Sequence, residues 1–271
     1  MKAGDFVHIW SSASVAVGIL ALPAPALAQV QTAVSMATET PDDASRRNHV
    51  VIGIGAAAVP VLQGSKDYRV LPVPAIDVQQ GWLFANLRNG IGVVPIEMQH
   101  LTIGAGAVYL QGYRRRDVPI GVDRLSDGVG VRLFGAIRSG GFLGNLGVTK
   151  GLAGQTKGVL VDASVSYPVP ITPRLSLTPT LGTTWANAKY NDRYFGINDR
   201  EALASGLARF SAGAGFKDVS ETLTASYRLT DRIGLSVTGG ATTLLGDAAD
   251  SPLVRRRTTP TGLLSLSYSL R

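Results

Sequence analysis

The sequence predicts an all-β protein, a transmembrane antiparallel up-and-down β-barrel that follows a cleaved N-terminal signal peptide. Segments of roughly ten residues in which apolar and polar side chains alternate recur along the chain, as in strands with one apolar face. Charged residues make up 17% of the chain, below the roughly 25% of soluble domains. Glycine accounts for 32 of 271 residues, above its usual share of about 7%. No apolar run reaches the roughly 18 residues that a transmembrane helix needs, so the pattern favours a sheet that faces lipid.

The first 28 residues have the three parts of a secretory signal. Lys2 supplies a positive n-region, residues 15–22 an apolar core, and Ala26-Leu27-Ala28 a small-residue cleavage site. We therefore expect residues 1–28 to be removed. Residues 29–48 are polar and poor in apolar side chains, which predicts a flexible periplasmic segment. Residues 49–271 are predicted to form the barrel.

The predicted strands before residue 101 are short or interrupted. They begin at His49 and continue at 68–78, 82–87 and 91–98. Pro72 and Pro74 lie in the second of them, where proline is tolerated mainly at strand ends, bulges or sheet edges. Asn89-Gly90 separates the last two, and this dipeptide is favoured in type I′ hairpin turns.

From Leu101 onward the pattern is regular, and eight strands are predicted, at 101–110, 129–137, 142–148, 159–167, 174–185, 207–229, 233–243 and 264–270. Short turns alternate with longer connections at 111–128, 150–157, 186–205 and 244–260. Bacterial outer-membrane barrels have short periplasmic turns, longer external loops and an even strand count. An even number of strands must therefore precede Leu101. We predict a barrel of twelve strands if Asn89-Gly90 is a hairpin, with ten as the alternative if it is not.

The same alternation assigns five charged side chains to the lumen: Arg132, Asp162, Arg174, Arg228 and Arg232. An arginine that faces lipid at the bilayer midplane costs roughly 2–4 kcal/mol. A polar interior that also holds an acid avoids this cost.

Few residues could support catalysis. The chain contains no cysteine, and His8 falls in the leader, which leaves His49 and His100. Neither histidine lies in a recognisable nucleophile motif, as a histidine-dependent hydrolase would require. Asp247, Asp250 and Ser251 in one loop could hold a hard cation, which prefers oxygen ligands, but their spacing is not that of an EF-hand. We interpret the two acids as backbone-capping or loop-packing carboxylates. We therefore expect no catalytic activity, no cofactor and no metal.

The external connections contain candidate contact residues. Tyr194 and Phe195 could form a partner-binding patch or fold back to close the barrel mouth. Arginine pairs bidentately with phosphate, so contact with lipopolysaccharide phosphates is one interpretation of two arginine runs, and solvated loop charge is the other. The runs are Arg114, Arg115 and Arg116, and Arg255, Arg256 and Arg257. The chain lacks a combined aromatic and basic platform for bases, so no nucleic acid partner is expected.

Four stretches stand out as longer motifs, in order along residues 49–270. They are Gly64-Ser65-Lys66-Asp67-Tyr68-Arg69 with Leu71-Pro72-Val73-Pro74, Tyr194-Phe195-Gly196-Ile197, Ala204-Ser205-Gly206-Leu207, and Leu244-Leu245-Gly246-Asp247-Ala248-Ala249-Asp250-Ser251-Pro252. Together they resemble the MipA/OmpV family of outer-membrane β-barrel proteins. Two stretches depart from the family. Gly154-Gln155-Thr156-Lys157-Gly158 stands where members often carry a histidine, and Leu270-Arg271 replaces the aromatic residue with which outer-membrane barrels usually end.

The resemblance implies a non-enzymatic protein of the outer membrane and a scaffold role. The implied partners are a murein-hydrolysing lytic transglycosylase and a bifunctional murein synthase. Outer-membrane lipid and lipopolysaccharide are expected to surround the barrel. A narrow solute pore or a surface adhesin involved in osmotic response is the alternative function.

Overall fold

The computed structural model describes residues 48–154 and 157–270. The predicted signal peptide at 1–28, residues 29–47 of the predicted periplasmic segment, Gln155-Thr156 and Arg271 lie outside the described residues. Within the described part, no helix is long and apolar enough to cross a membrane.

The described strands form one antiparallel sheet that closes on itself. Their bounds are β1 Asn48–Pro60, β2 Tyr68–Gln80, β3 Leu83–Asn86, β4 Gly90–Glu97, β5 Leu101–Leu110, β6 Gly128–Ser139, β7 Phe142–Ala153, β8 Val159–Ser166, β9 Val169–Pro170, β10 Leu175–Ala186, β11 Gly215–Arg228, β12 Ile233–Leu244 and β13 Thr258–Ser269. β8 and β9 are two parts of one crossing, because both pair with β10. β13 pairs with β1 and closes the ring. The predicted antiparallel barrel of twelve strands is confirmed for the described residues.

Three short α-helices lie in the long connections of the described chain: α1 Ala188–Phe195, α2 Asp199–Ser205 and α3 Gly246–Asp250. A 3₁₀ turn at Arg115–Asp117 lies in the β5–β6 connection. The Asn187 side chain accepts the Tyr190 N–H and caps α1. Asn198 and Glu201 form a reciprocal capping box at the start of α2. These caps satisfy amide groups that helix ends leave without partners, so α1 and α2 start at defined residues.

Side chains alternate across the wall as the sequence pattern predicts. On β13, Leu264 and Leu266 are 51% and 45% exposed on the outer face, whereas Ser265 is 3% exposed on the inner face. Exposed aromatic side chains mark both ends of the outer face, with Tyr109 and Phe216 towards the long connections and Tyr227 and Tyr268 towards the short turns. The outer face therefore has the apolar band and aromatic girdles of a membrane-spanning barrel.

Three predicted boundaries were wrong. The last strand, predicted at 264–270, begins at Thr258 and so shortens the connection predicted at 244–260. The strand predicted at 207–229 begins at Gly215, because Phe210 pairs with Ile197 in an isolated bridge that keeps the preceding segment in the loop. The connection predicted at 150–157 is shorter, since β7 continues to Ala153 and β8 begins at Val159.

The hairpin of β3 and β4 is shorter than its neighbours and shapes the lumen. β3 has four residues. It pairs with β4 on one side and, on the other, with only the last four residues of β2, from Asp77 to Gln80. The tip of this hairpin, residues 87–89, turns into the barrel. The opposite part of β2, Tyr68 to Ile76, pairs with β1 and with no other described strand.

Candidate functional site

The lumen is lined along β10 to β13 largely by small polar side chains. Thr224 on β11 and Thr238 on β12 are 1% and 3% exposed, and their hydroxyl oxygens lie 2.9 Å apart. Ser226 and Ser236 make a similar contact one pair nearer the short turns, at 3.3 Å. Hydroxyl groups on the inner face satisfy one another away from lipid, so this half of the lumen is polar.

One charged pair sits inside the lumen on the opposite half. Arg132 on β6 is 6% exposed and donates from Nη1 and Nη2 to the two carboxylate oxygens of Asp162 on β8, at 2.5 and 2.8 Å. Nη1 also donates to the Thr149 hydroxyl at 3.0 Å, and Nε donates to the side-chain carbonyl of Asn89 at 3.0 Å. A bidentate arginine–carboxylate pair is the strongest geometry for such a contact, and it holds this side of the wall in one register.

Glycines on the neighbouring inner positions make room for this pair. A Cβ on Gly147 of β7 would overlap the Arg132 guanidinium, and a Cβ on Gly106 of β5 would overlap the Asn89 carbonyl. Any larger residue at either position would displace the buried charge or the hairpin tip. The glycine content noted in the sequence therefore has a specific use at this level of the lumen.

The tip of the β3–β4 hairpin crosses part of the lumen. Leu87 packs on an apolar cluster formed by Ala57, Val59, Leu71, Val73 and Leu263. Arg88 donates from Nη2 to the Ser164 hydroxyl on β8 at 2.9 Å, four strands further round the wall from β4. We call Arg88, Asn89, Arg132, Thr149, Asp162 and Ser164 the lumenal network. It joins the hairpin tip to the facing wall and obstructs the lumen.

A hydrophobic cap closes the end of the barrel that carries the long connections. Its aromatic centre consists of Tyr190, Tyr194 and Phe195 from α1 and Tyr113 from the β5–β6 connection, all at most 6% exposed. Tyr194 lies edge-on to Tyr113 and stacks on Tyr190, with ring centroids 5.4 and 5.9 Å apart. Aliphatic members from the other connections complete this cap: Leu62, Val118, Val122, Leu125, Ile197, Ala248, Ala249 and Leu253.

Buried polar contacts hold the cap to the strands. Lys217, 4% exposed, forms an ion pair with Asp218 and donates to the Gln63 side-chain carbonyl at 3.2 Å. The Ser251 hydroxyl donates to the Phe195 carbonyl oxygen at 2.6 Å. Because Lys217 pairs with Asp218 and with the Gln63 amide, the charges of the lysine and the aspartate can be buried under the cap.

Burial changes the proton affinity of the cap phenols. Desolvation by burial raises the pKa of Tyr194 to about 12, against a smaller lowering from a backbone hydrogen bond at Gln63. Burial also raises the pKa of Tyr113 and Tyr190. These rings stay neutral across the physiological range, as a packed hydrophobic cap requires.

The opposite, short-turn end contains a cavity of about 430 Å³, which we call the vestibule. His49 Nε2 lies 3.3 Å from Asp77 Oδ1 on its wall, and Gln79 donates to Glu97 at 3.1 Å. His100, in the β4–β5 turn, and Arg138 also line it. The vestibule is thus a polar cup with two carboxylates, bounded on the inner side by Asn89 of the lumenal network. Among the described residues, no group of three or more histidine, aspartate or glutamate side chains could hold a metal ion.

The five charges predicted for the lumen do not lie together. Arg132 and Asp162 form the central pair. Arg228 is exposed at the end of β11, and Arg174 is exposed in the turn before β10, since β10 begins at Leu175. Arg232 lies in the β11–β12 turn and donates to the Tyr268 hydroxyl at 3.4 Å, whose ring is on the outer face. The predicted placement of Arg174 and Arg232 in the lumen needs correction, because both lie beyond the strand ends.

Of the residues predicted to make contacts from the loops, the two aromatic residues are buried and the six arginines are exposed. Tyr194 and Phe195 are 4% and 0% exposed, so they fold back to close the barrel mouth and do not form an exposed patch. Both arginine runs are exposed at the capped end: Arg114, Arg115, Arg116, Arg255, Arg256 and Arg257. Sequence reasoning missed Arg88, and it treated Asn89 only as a turn residue. The Asn89-Gly90 signal does locate the hairpin, but it cannot tell whether the tip points into the lumen.

Comparisons with known proteins agree with the barrel. The family model described as MltA-interacting protein MipA matches residues 52–270. The putative outer membrane protein YiaT of Escherichia coli (strain K12) is 34% identical over 95 residues, which cover 35% of this chain and 38% of that protein. The 24 kDa outer membrane protein of Pasteurella multocida (strain Pm70) is 24% identical over 234 residues, 82% of this chain and 90% of that protein. The MltA-interacting protein of Escherichia coli (strain K12) is 31% identical over 97 residues, 36% of this chain and 38% of that protein.

Solved porin structures are more distant. A KdgM porin has 10% sequence identity and a TM-score of 0.42, over 82% of this chain and 100% of that one. A NanC porin has 10% identity and a TM-score of 0.43 over the same shares.

Proposed function

Because the chain belongs to the MltA-interacting protein MipA family and is a β-barrel of the outer membrane, we propose that it is a non-conducting envelope scaffold. In this proposal the barrel anchors the protein, and its periplasmic end contacts enzymes that hydrolyse and synthesise murein. The partners proposed by family membership are a lytic transglycosylase and a murein synthase. One relative's name, MltA-interacting protein, supports a partner of this kind.

The obstruction of the lumen at two levels is the observation that carries this proposal. The aromatic cap lies at the long-connection end, and the lumenal network lies below it, with Arg88 bound to Ser164 and Arg132 bound to Asp162. A solute would have to displace both a packed hydrophobic cap and a buried ion pair. A barrel built in this way suits an anchor better than an open channel.

The vestibule supports a contact on the periplasmic side. Short turns face the periplasm in outer-membrane barrels, and the vestibule opens at that end with Asp77, Glu97 and Arg138 on its wall. Charged groups around a concave surface favour a specific partner through complementary electrostatics. We propose that this end, with the segment before β1, is the surface that a murein enzyme recognises.

The protein is also proposed to be non-enzymatic. His49 is buried beside Asp77, and His100 lies in a turn, so neither is placed like the base of a known nucleophile motif. Purified protein in detergent should release no soluble fragments from isolated murein. Release that disappears on changing His49 or His100 would overturn this part of the proposal.

Conductance tests the scaffold against the pore alternative. Purified protein inserted in planar bilayers should give no reproducible current steps. Reproducible steps would overturn the closed scaffold and favour a narrow solute pore.

Capture of partners tests the scaffold directly. Tagged protein pulled down from detergent-solubilised envelopes should retain a lytic transglycosylase. The Asp77→Asn and Glu97→Gln double variant should retain less of it, whereas Leu203→Ala, at an 89% exposed position on the external end, should retain as much as the wild type. Failure to capture a murein enzyme would overturn the proposal, and cell adhesion lost on removing the external connections would favour the adhesin alternative.

A further inference from the structure

A free strand edge faces the membrane beside the short hairpin. β2 pairs with β1 along its whole length, but its other edge is paired only from Asp77 to Gln80. The Val61 N–H donates to the Asp67 carbonyl oxygen at 2.9 Å, which places odd-numbered residues of β2 in the hydrogen-bonded pairs with β1. The even-numbered residues from Tyr68 to Ile76 therefore direct their backbone groups to the free edge, which we call the seam.

Two prolines modify this edge. Pro72 and Pro74 are even-numbered, so each removes an N–H that would otherwise point into the seam without a partner. Unpaired backbone donors in the bilayer cost several kcal/mol each by the general rule for membrane proteins. An added β-strand would need these donors, so the seam is poorly suited to a peptide strand.

The surroundings of the seam are apolar on both sides. Outside, Val70 is 71% exposed and Tyr68 is 40% exposed. Inside, Leu71 and Val73 are buried, and Leu87 of the hairpin tip packs against them. The seam is therefore a groove on the outer face with a closed floor. At the end of the seam nearest the long connections, Arg69 Nη2 lies 2.7 Å from Asp117 Oδ1. This ion pair joins β2 to the β5–β6 connection.

Exposed cationic side chains surround the end of this groove that lies at the long connections. Gly64, in the β1–β2 connection, accepts the backbone N–H groups of Arg255 and Arg256 at 2.8 and 3.0 Å. Asp117, at the end of the other arginine run, is held by Arg69 on β2. The two runs, distant in sequence, therefore stand on either side of the β1–β2 connection. We call this set the arginine crescent: Lys66, Arg114, Arg115, Arg116, Arg255 and Arg256.

Most of the crescent carries uncompensated charge. Asp117 is used by Arg69, and Asp250 is used by Arg257 at 2.6 Å. Among the described residues, no ion pair joins Arg114, Arg115, Arg255 or Arg256 to an acid. Exposed guanidinium groups of this kind bind phosphate bidentately.

We propose that the seam and the arginine crescent together bind one phosphorylated glycolipid of the outer leaflet, of the lipid A class. One of its acyl chains lies along the seam beside Val70, and its phosphates lie on the crescent. Charge complementarity selects an anionic headgroup, and the missing donors at Pro72 and Pro74 select an acyl chain over a peptide. The site is independent of the proposed murein contact, because it lies at the opposite end of the barrel.

Native mass spectrometry of delipidated protein in detergent micelles tests this proposal, with lipid A carrying both phosphates as the probe. The triple variant Arg114→Gln, Arg115→Gln and Arg116→Gln should raise the apparent Kd at least tenfold. The control triple Arg174→Gln, Arg228→Gln and Arg232→Gln, which removes equal charge at the other end, should leave it unchanged. Dephosphorylated lipid A should bind the wild type as weakly as lipid A binds the first variant.

A second pair of variants tests the seam. Val70→Trp should fill the groove and weaken lipid A binding, whereas Ile54→Trp, at a 65% exposed position on the outer face of β1, should not.

Heat-modifiable migration on gels, a shift between folded and boiled samples, checks that each variant is folded. Equal weakening by both arginine triples, or equal binding by both tryptophan variants, overturns the proposal. Competition by inorganic phosphate at the same concentration as lipid A would also overturn it, by assigning the crescent to a free anion.

Discussion

Arg132 on β6 and Asp162 on β8 meet across the intervening strand β7, through two hydrogen bonds of 2.5 and 2.8 Å. Thr149 on β7 and Asn89 in the hairpin tip accept the remaining contacts. Three strands of the wall and the lumenal obstruction thus depend on one guanidinium group. The consequences of removing or displacing it can be measured.

Removing the acid should destabilise the barrel strongly. In Asp162→Asn, the Arg132 guanidinium, 6% exposed, keeps its charge and loses its counter-ion. Breaking a buried pair from one side costs about 3–5 kcal/mol, and since Asp162 is partly exposed we expect about 3 kcal/mol. Urea unfolding of protein refolded in lipid vesicles measures this loss.

Two variants sharpen the test. Asp231→Asn removes an acid from the exposed β11–β12 turn and should change the unfolding free energy by less than about 0.5 kcal/mol. The double variant Arg132→Met and Asp162→Leu should recover much of the loss, because it leaves no unpaired charge. If Asp162→Asn and Asp231→Asn unfold at the same urea concentration, the pair does not stabilise the barrel.

Displacing the same guanidinium by volume should have a related effect. In Gly147→Ala the new Cβ would overlap the Arg132 guanidinium, so the pair with Asp162 must shift. Overpacking of this kind costs about 1–3 kcal/mol, measurable by the same urea unfolding. Gly239→Ala is the matched control, because a Cβ there has no heavy atom within 4 Å, and it should be nearly neutral. A loss of the same size in both variants would mean that strand conformation, and not contact with Arg132, sets the cost.

The wall was more predictable from the sequence than the contents of the lumen. Alternation identifies the inner and outer faces because the period of two is local, and it placed Arg132 and Asp162 inside. Their pairing across β7 depends on the register of three strands, which no local pattern contains. Arg174 and Arg232 were misassigned because alternation carries on past a strand end into a turn. For Tyr194 and Phe195, the sequence does not distinguish aromatic side chains that are buried in a cap from aromatic side chains that are exposed to bind a partner.

The cap should open when its central aromatic ring is removed. Tyr194 contacts the rings of both Tyr113 and Tyr190, and truncating a buried aromatic residue to alanine costs about 3–5 kcal/mol. Tyr194→Ala should therefore make the 187–214 connection sensitive to trypsin at Arg193 and Arg200, while the barrel keeps its resistance to heat in detergent. Leu203→Ala, at an 89% exposed position in α2, should leave cleavage as slow as in the wild type. Equal cleavage rates in all three proteins would count against a packed cap.

Alkaline pH should weaken the cap through the same ring. Burial raises the pKa of Tyr194 to about 12, whereas an unfolded tyrosine has a pKa of about 10. Below pH 10 the phenol is neutral in both states, so no stability depends on it. Between pH 10 and 12 the unfolded state releases the proton and the folded state keeps it, so stability falls as pH rises, by about 1.4 kcal/mol per pH unit for a full proton.

Tyrosinate absorbance at pH 11, compared between wild type and Tyr194→Phe, isolates this phenol from the other titrating groups. We expect little difference between the folded proteins and a difference of about one tyrosinate after unfolding in urea. A difference of one tyrosinate already present in the folded proteins at pH 11 would show that Tyr194 is open to solvent and that the mouth of the barrel is not sealed by it.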